Sequence, residues 1–380
     1  MEEVKIVKLA SIWQKAPKSK SGVADVKQME QGDIICFTSG KSIFYVNKYL
    51  VDGEYIFLND GGFADIKYNN GKAYYTDHTF TFGIKENCNC LVKFLYYFLK
   101  NKQDFINEKL FQGSGLKNLN KKDVENILIP LPPLTTQLAI VEVLDKFTEL
   151  EKELEKELEM RKLQYQYYRD KLLTFTEEER ERWGVREVKI GDVCVINRGA
   201  SPRPIQHYIT KGNDGVNWLK IGDVENNAKY IYKTKEKITK EGVEKSRLCK
   251  KGDLILSTTM SWGRPYILAT DCCIHDGWSL ISGFDKNEIL PDYLYYYLKS
   301  NQVQKFWQNS QNTGSVSNLN TDIIKQTQLE IPSLTRQKEI VEILDKFDTL
   351  VNDISKGLPR EIELRRKQYE YYRDKLLYFV

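Results

Sequence analysis

The chain has 380 residues, of which 41% are hydrophobic, and a formal net charge of +4 at pH 7, which suits two or three soluble domains with their own cores. The small charge excludes a polycation, so any nucleic-acid contact must be a local patch, and no stretch reaches the roughly 18 apolar residues of a membrane-spanning helix. The acidic N-terminus lacks the apolar core of a secretory signal, and seven cysteines without framework spacing favour reduced thiols, so we expect a cytoplasmic protein.

Residues 1–133 are predicted to form a first mixed α/β segment. Runs rich in β-branched and aromatic residues, separated by Gly, Asn and Asp turns, predict strands at 33–37, 42–46, 54–58 and 79–82. A helix is predicted at 91–102. The segment ends at a proline boundary, residues 130–133, because proline interrupts regular structure.

Residues 134–178 are predicted to form a first helical arm, with Thr135 as its N-cap. Apolar residues recur there at steps of three and four, which are the seam positions of a coiled coil. The seam consists of Ile140, Leu144, Phe147, Leu154, Leu158, Tyr165, Tyr168 and Leu172. About 40 residues of straight helix would span about 60 Å.

The second half of the chain repeats the first. Residues 179–333 follow the same order of elements, and residues 334–380 repeat the arm, with Thr335 as the predicted N-cap. The seam of this second arm consists of Ile340, Leu344, Phe347, Ile354, Tyr369, Tyr372 and Leu376. Four extra residues interrupt the heptads at Gly357-Leu358-Pro359, so we predict a break or kink there.

The duplication predicts an α+β fold with pseudo-twofold symmetry. A lone heptad arm cannot bury its apolar seam, whereas two arms in one chain can pack together. We therefore predict an antiparallel coiled coil of two long helices that separates the two mixed α/β segments. Such a molecule is suited to a target that is itself in two parts.

The sequence shows no catalytic constellation. It has no G-x-G-x-x-G or G-x-x-x-x-G-K-[ST] phosphate loop, no H-E-x-x-H and no G-x-S-x-G, and the (Asn/Asp)-Pro-Pro-(Tyr/Phe) motif of amino-methyltransferases is absent. Cys88-x-Cys90 has no second cysteine pair to complete a metal site. We expect a non-catalytic protein that binds no metal or cofactor itself.

Candidate DNA contacts are loop residues whose side chains suit phosphates or base edges, since arginine can read guanine and hydroxyls or amides suit phosphates and adenine. Asp77-His78 and His275-Asp276 fit either a DNA contact or a structural histidine with its carboxylate. The tyrosine runs fit packing better than base stacking. The candidates are Lys41, Tyr74, Tyr75, His78, Ser114, Lys117, Arg198, Ser201, Arg203, Lys220, Ser257, Thr258, Thr259, Trp262, Arg264, His275 and Ser315.

These motifs resemble the specificity (S) subunit of Type I restriction-modification enzymes over essentially the whole chain. The most specific are the proline-rich boundaries at 129–137 and 331–337, the repeated block at 140–147 and 340–347, and residues 365–377. The resemblance implies two target recognition domains, residues 1–133 and 179–333, that each read one half of a split DNA sequence. It also implies two conserved arms that act as a ruler between them.

The resemblance implies partners as well. They are double-stranded DNA, two methyltransferase (M) subunits and two restriction (R) motor-nuclease subunits. The M subunits would hold S-adenosylmethionine for adenine methylation, and the R subunits would use ATP and Mg for restriction.

One departure and two alternatives remain. No arginine precedes Arg161, so we predict that the half-site of the first segment depends on A·T contacts and DNA shape. The alternatives are the specificity subunit of a related Type II system with a fused methyltransferase-nuclease, and a coiled-coil scaffold that binds only proteins. Neighbouring genes distinguish the first, and salt-dependent DNA binding distinguishes the second.

Overall fold

The computed structural model describes residues 4–113, 115, 117–225, 227–258, 263–311 and 319–379. It divides into two compact units. Unit 1 comprises residues 1–153 and 362–380, and unit 2 comprises residues 154–361. Both units mix helices with strands, which confirms the predicted α+β content. Every described helix is too short or too polar to span a lipid bilayer.

The globular part of unit 1 alternates short strands with short helices. Its strands are β1 (Lys5–Lys8), β2 (Trp13–Lys15), β3 (Ile34–Phe37), β4 (Ile43–Val46), β5 (Glu54–Asn59), β6 (Ile66–Asn70), β7 (Ala73–Tyr75), β8 (Thr79–Ile84), β9 (Phe111–Gln112), β10 (Asn118–Leu119) and β11 (Leu128–Leu131). Its helices are α1 (Leu9–Ile12), α2 (Val23–Val26), α3 (Val92–Asn101), α4 (Gln103–Phe105) and α5 (Lys121–Glu125), with a π-helical segment at Ile106–Leu110. The strands and the helix predicted from the sequence are confirmed to within two residues.

The core of unit 1 follows from strand alternation. Strands β2-β8-β5-β6 form an antiparallel sheet in that order, and β4-β3-β7 form a second sheet. On β5, Ile56 packs in the cluster that contains Leu95 of α3, whereas Phe57 packs with Phe37 and Tyr75 in another. Successive strand residues point to opposite faces, so β5 serves two cores at once.

Helix α6 (Leu134–Leu172) is the first arm and has 39 residues. It begins directly after the proline boundary, two residues before the start that an N-cap at Thr135 predicts. Thr135 therefore lies inside the helix, and its prediction as the N-cap is wrong.

Unit 2 repeats the alternation of strands and short helices. Its strands are β12 (Arg186–Lys189), β13 (Val195–Arg198), β14 (Ile209–Thr210), β15 (Val216–Leu219), β16 (Tyr230–Ile231), β17 (Glu236–Ile238), β18 (Arg247–Cys249), β19 (Leu254–Ser257), β20 (Pro265–Leu268), β21 (Cys272–Ile274), β22 (Trp278–Ser282) and β23 (Gln328–Ile331). Its helices are α7 (Glu177–Trp183), α8 (Ile190–Val193), α9 (Lys240–Glu244), α10 (Pro291–Leu298), α11 (Asn301–Gln311) and α12 (Thr321–Lys325), with 3₁₀ turns at Ile205–His207 and Ile221–Asp223.

Helix α10 lies at the centre of unit 2. The two five-stranded sheets of unit 2 have the orders β13-β22-β19-β20-β16 and β14-β17-β15-β21-β18. Residues 293–298 of α10 are each at most 2% exposed, as expected for a helix that is apolar on every side. The tyrosines at 295–297 are therefore core residues, which confirms the interpretation of that run as packing.

The second arm consists of two helices, α13 (Leu334–Asn352) and α14 (Leu358–Leu376). The predicted break is confirmed, because residues 353–357 leave the helix. A Cβ at Gly357 would collide with the backbone oxygen of Thr349, so the turn requires glycine. The predicted N-cap Thr335 is wrong, since Ser333 Oγ accepts a hydrogen bond from the Arg336 backbone N–H and caps α13.

Candidate nucleic-acid interface

Two loops of unit 2 meet at the carboxylate of Asp276. Ser201 Oγ donates to Asp276 Oδ1 at 2.9 Å, and the Arg203 guanidinium donates to Asp276 Oδ2 at 3.4 Å. Arg198 Nε donates to the backbone oxygen of Asp276 at 3.1 Å. The structure thus brings together predicted DNA contacts that lie more than 70 residues apart in the sequence.

Close backbone approach brings these two loops together. A Cβ at Gly199 would collide with the backbone oxygen of His275. The Gly199 N–H donates to the Trp278 carbonyl at 2.8 Å, and the Ala200 N–H donates to the Ile274 carbonyl at 3.1 Å. Glycine is needed at 199 because no larger residue fits this approach.

A surface cavity of about 490 Å³ lies beside this loop pair. Its lining includes buried Trp218, and Arg203 and Lys220 contribute positive charge to its wall. Lys220 Nζ lies 2.5 Å from Glu236 Oε1. The predicted contact Lys220 therefore joins Arg203 on the same surface, and both cations lie beside a carboxylate.

His275 has a structural role in this cluster. Its Nδ1 accepts a hydrogen bond from the Gly277 backbone N–H at 2.8 Å. Burial lowers the pKa of its imidazole, against the opposing effect of Asp276. A neutral ring that accepts a backbone hydrogen bond fits the structural alternative better than a DNA contact.

The candidates of unit 1 lie on neighbouring loops. The Asp60 backbone N–H donates to the His78 carbonyl, and the Gly62 N–H donates to the Lys117 carbonyl. His78 is exposed, and its Nδ1 lies 3.5 Å from Asp60 Oδ1. The carboxylate that faces its imidazole is therefore that of Asp60, whereas Asp77 Oδ1 accepts from the His78 backbone N–H.

Lys41, the other lysine candidate of unit 1, lies near these same loops. Lys67 Nζ donates to the carbonyls of Thr38 and Gly40, and Asn59 Nδ2 donates to the Ser39 carbonyl. These bonds place exposed Lys41 on a loop beside the 59–62 turn. Lysine, histidine and backbone groups are thus presented together, without arginine.

Several predicted contacts are wrong because their side chains face the protein interior. Tyr75 is 1% exposed, and its hydroxyl donates to the Pro17 carbonyl. Ser257 is 1% exposed, and Thr258 is 5% exposed and donates to the Gly277 carbonyl at 2.9 Å. Tyr74 is also largely buried, and its hydroxyl lies 2.8 Å from Ser21 Oγ.

Arg264 is exposed and stays a prediction. Four other predicted contacts lie outside the described residues. They are Ser114, Thr259, Trp262 and Ser315.

A buried glutamine connects the first arm to the globular part of unit 1. Gln137 is fully buried, and its Oε1 accepts from the Leu91 backbone N–H at 2.9 Å. Its Nε2 donates to the carbonyls of Asn89 and Pro132 at 3.0 and 2.8 Å. One side chain therefore satisfies three backbone groups, including the N–H just before α3.

Unit 2 contains the same arrangement around Gln337. Its Oε1 accepts from the Leu290 N–H at 2.9 Å, and its Nε2 donates to the carbonyls of Glu288 and Pro332 at 2.7 and 2.8 Å. We call Gln137 and Gln337 the glutamine anchors. Sequence reasoning missed both, although each follows a proline by five residues in the repeated boundary motif.

An aspartate of the repeated arm block makes the second connection, and we call Asp145 and Asp345 the aspartate anchors. In unit 1, Asp145 accepts from Lys93 Nζ at 2.7 Å and from the Tyr97 hydroxyl at 2.6 Å. Both donors lie on α3. The aspartate thus joins the arm to the helix that covers the main sheet.

In unit 2 the equivalent aspartate, Asp345, pairs with a lysine that does not lie on the equivalent helix, α10. Asp345 accepts from the Tyr296 hydroxyl and from Lys229 Nζ, each at 2.5 Å. Lys229 Nζ also lies 2.7 Å from Asp292. Asp292 occupies the position on α10 that Lys93 occupies on α3. A charge reversal in the repeat is therefore balanced by a lysine from a loop.

The seam residues of unit 1 contact residues of α14. Ile140 and Leu144 share a cluster with Leu376 and Tyr369 of α14. The ring of Phe147 stacks on Tyr372 with centroids 5.6 Å apart. Further along α6, Glu151 pairs with Arg366, which precedes Tyr372 on α14, so these two segments run antiparallel.

The seam of unit 2 is also formed by stacked aromatic rings and packed apolar side chains. Tyr168 stacks on Phe347 with centroids 5.4 Å apart. Leu158, Tyr165 and Leu172 pack in the cluster that contains Ile340 and Leu344, and Leu154 is buried. Ile354 was predicted on this seam, but it is 64% exposed, because it lies in the break between α13 and α14.

Lys299 gives unit 2 a pH-dependent stability. Burial lowers the pKa of its ammonium to about 8, against the opposing effect of Asp348. The unfolded side chain keeps a pKa near 10.4, so between these values the unfolded state binds more protons and rising pH favours folding. We expect wild type to gain stability relative to Lys299→Met from pH 7.5 to 9.5, measured by urea unfolding.

The control for this prediction is Lys325→Met, at a side chain that is 47% exposed. It should keep the wild-type pH profile. Parallel profiles for wild type and Lys299→Met would contradict the prediction.

Among the described residues, no group of three or more His, Cys, Asp and Glu is arranged to hold a metal ion. Cys90 is buried, and burial raises the pKa of its thiol to about 12. That thiol is a poor ligand and nucleophile at neutral pH, because the thiolate is the reactive form.

Comparison with known proteins identifies the family. The family model described as "Type I restriction modification DNA specificity domain" matches residues 1–160 and 182–364. A Haemophilus influenzae protein that carries the name of a type I restriction enzyme specificity subunit is 32% identical over 350 residues, which cover 88% of this chain and 85% of the relative. The EcoR124I/EcoR124II specificity subunit of Escherichia coli is 32% identical over 300 residues, which cover 76% and 71%.

Solved structures agree at the level of the fold. The S subunit of a Type I system from M. genitalium has a TM-score of 0.61 and 16% identity, with 100% of this chain and 97% of that chain covered. A chain from a study of assembly and conformational transition in the type I restriction-modification system has a TM-score of 0.65 and 14% identity, with 99% and 98% covered. The chain belongs to the family of Type I restriction-modification DNA specificity subunits.

Proposed function

We propose that this chain is the DNA-reading subunit of a Type I restriction-modification complex. Each globular region reads one half of a split DNA sequence, and partner subunits carry out adenine methylation and restriction. Phosphate contacts fix the register, while base contacts and DNA shape give specificity. The relatives are named as subunits of type I systems, so neither the Type II alternative nor the protein-only scaffold is favoured.

One observation carries this proposal beyond the family match, namely the repetition of the anchors in both units. Each unit joins its globular region to an arm through a buried glutamine and an acidic residue of the same arm block. Two readers that are rigidly attached to helices suit a target whose halves lie at a fixed separation. We propose that the arms form an antiparallel coiled coil that sets this spacer.

The proposed partners are those that membership of the family implies. The chain's own sequence contains no methyltransferase or nucleotide-binding motif. In the proposed complex, two M subunits hold S-adenosylmethionine for methylation, and two R subunits use ATP and Mg for restriction. These reactions take place on DNA in the cytoplasm.

The deciding experiment is single-molecule methylation sequencing of genomic DNA from cells with and without this gene, with its methyltransferase subunit co-expressed. We expect a two-part adenine-methylated sequence that appears only when the gene is present. A change in a continuous, unsplit motif would contradict the two-reader model. Absence of any change, together with no salt-dependent DNA binding by the co-expressed complex, would favour the scaffold.

A further inference from the structure

Arg203 is one of the exposed cations that meet Asp276 in unit 2. Its side chain is 81% exposed. It lies between Pro202 and Pro204, and proline rings restrict the backbone on both sides of it. The loop therefore presents a guanidinium to solvent from a backbone with little freedom.

The side chain is oriented as well as exposed. Asp276 Oδ2 accepts from one terminal nitrogen of Arg203 at 3.4 Å, and Oδ1 of the same carboxylate accepts from Ser201 Oγ. Arg198 Nε donates to the backbone oxygen of Asp276 at 3.1 Å. A guanidinium has five N–H donors, so this contact leaves donors available for a ligand.

The carboxylate of Asp276 favours a contact of Arg203 with a base edge over a contact with a phosphate. A phosphate group that approached Arg203 would also approach the negative charge of Asp276, which opposes binding. A guanine edge in the major groove presents two acceptors, N7 and O6, to the remaining donors of the arginine. Asp276 can also accept from the amino group of a neighbouring cytosine. The pair therefore suits a base edge better than the DNA backbone.

We infer that Arg203 reads a guanine in one half-site and that Asp276 is the residue that positions it. This inference rests on the proposed function of the chain as the DNA-reading subunit. It also makes the two halves of the target chemically different. The globular part of unit 1 contains no arginine, whereas unit 2 presents an arginine that is already oriented.

The test uses the complex of the full chain with its methyltransferase subunit. Methylation sequencing of wild type gives both half-sites, and duplexes that carry each base pair at each position then measure the methylation rate. Arg203→Lys keeps the charge and loses the planar fork. We expect it to lower the rate on the wild-type sequence by about 10- to 100-fold. It should also relax the preference at a single G·C pair in one half-site.

Asp276→Asn should weaken the same preference by several-fold and still favour guanine, because the arginine keeps its charge but loses its orientation. The controls are Arg186→Lys, a half-exposed arginine of β12, and Asp322→Asn, an 86% exposed acid of α12. Both should leave all base preferences unchanged.

Two results would overturn the inference alone. One is full retention of base preference by Arg203→Lys. The other is a uniform loss across all sequences with a smaller dependence on salt, which marks a phosphate contact. If wild type shows no two-part methylation, the proposed function fails and this inference fails with it.

Discussion

Replacement of Gln337 by alanine should lower the free energy of unfolding by about 3 to 5 kcal/mol. The side chain is fully buried and satisfies the Leu290 N–H and the carbonyls of Glu288 and Pro332. Alanine leaves these three backbone groups without their partner, and each unsatisfied buried group costs about 1 to 3 kcal/mol. Urea unfolding of the full chain measures the loss.

Two further variants make this prediction specific. Gln337→Glu keeps the shape but removes both donors and aims a carboxylate at two carbonyls, so it should be at least as harmful as alanine. Gln166→Ala, at an exposed glutamine of α6, should change stability by less than about 0.5 kcal/mol. A loss for Gln337→Ala no larger than that of Gln166→Ala would disprove the anchor.

Replacement of Lys229 by methionine should cost unit 2 about 3 kcal/mol. The lysine is 10% exposed and lies against Asp292, Asp345 and the ring of Tyr296. Methionine fills similar space but leaves two carboxylates facing each other, and removal of one partner from a buried ion pair is costly. Such a removal costs about 3 to 5 kcal/mol. We expect the lower end of this range, because both carboxylates retain some solvent contact.

Unit 1 suggests how to rescue this variant. There, Lys93 occupies the position equivalent to Asp292 and pairs with Asp145. Adding Asp292→Lys to Lys229→Met should therefore restore most of the stability. A double-mutant cycle measures the coupling, which we expect to exceed about 1 kcal/mol. Strict additivity of the two changes would show that the lysine is not shared between the carboxylates.

The sequence by itself determined the duplication, the arms and the break in the second arm. Heptad spacing and the Gly357-Leu358-Pro359 interruption are local patterns, and local patterns control where helices begin and end. The same repeat carried the resemblance to the family. The strands of the first segment were also predictable, because alternation and turn residues act within a few positions.

Only the tertiary structure decided which candidate contacts reach the surface. Tyr75, Ser257 and Thr258 have suitable chemistry but are buried, whereas Arg203 is exposed. Sequence composition cannot separate these cases, because the direction of a side chain depends on the register of its strand and on which face of the sheet is covered.

The anchors and the Arg203–Asp276 pair also required the tertiary structure. Arg203 and Asp276 are 73 residues apart, and Lys229 and Asp345 are 116 apart. No local pattern predicts such contacts, because they depend on the path of loops between elements. The fold also shows that the charge reversal from Lys93 to Asp292 is compensated by a lysine brought from a loop.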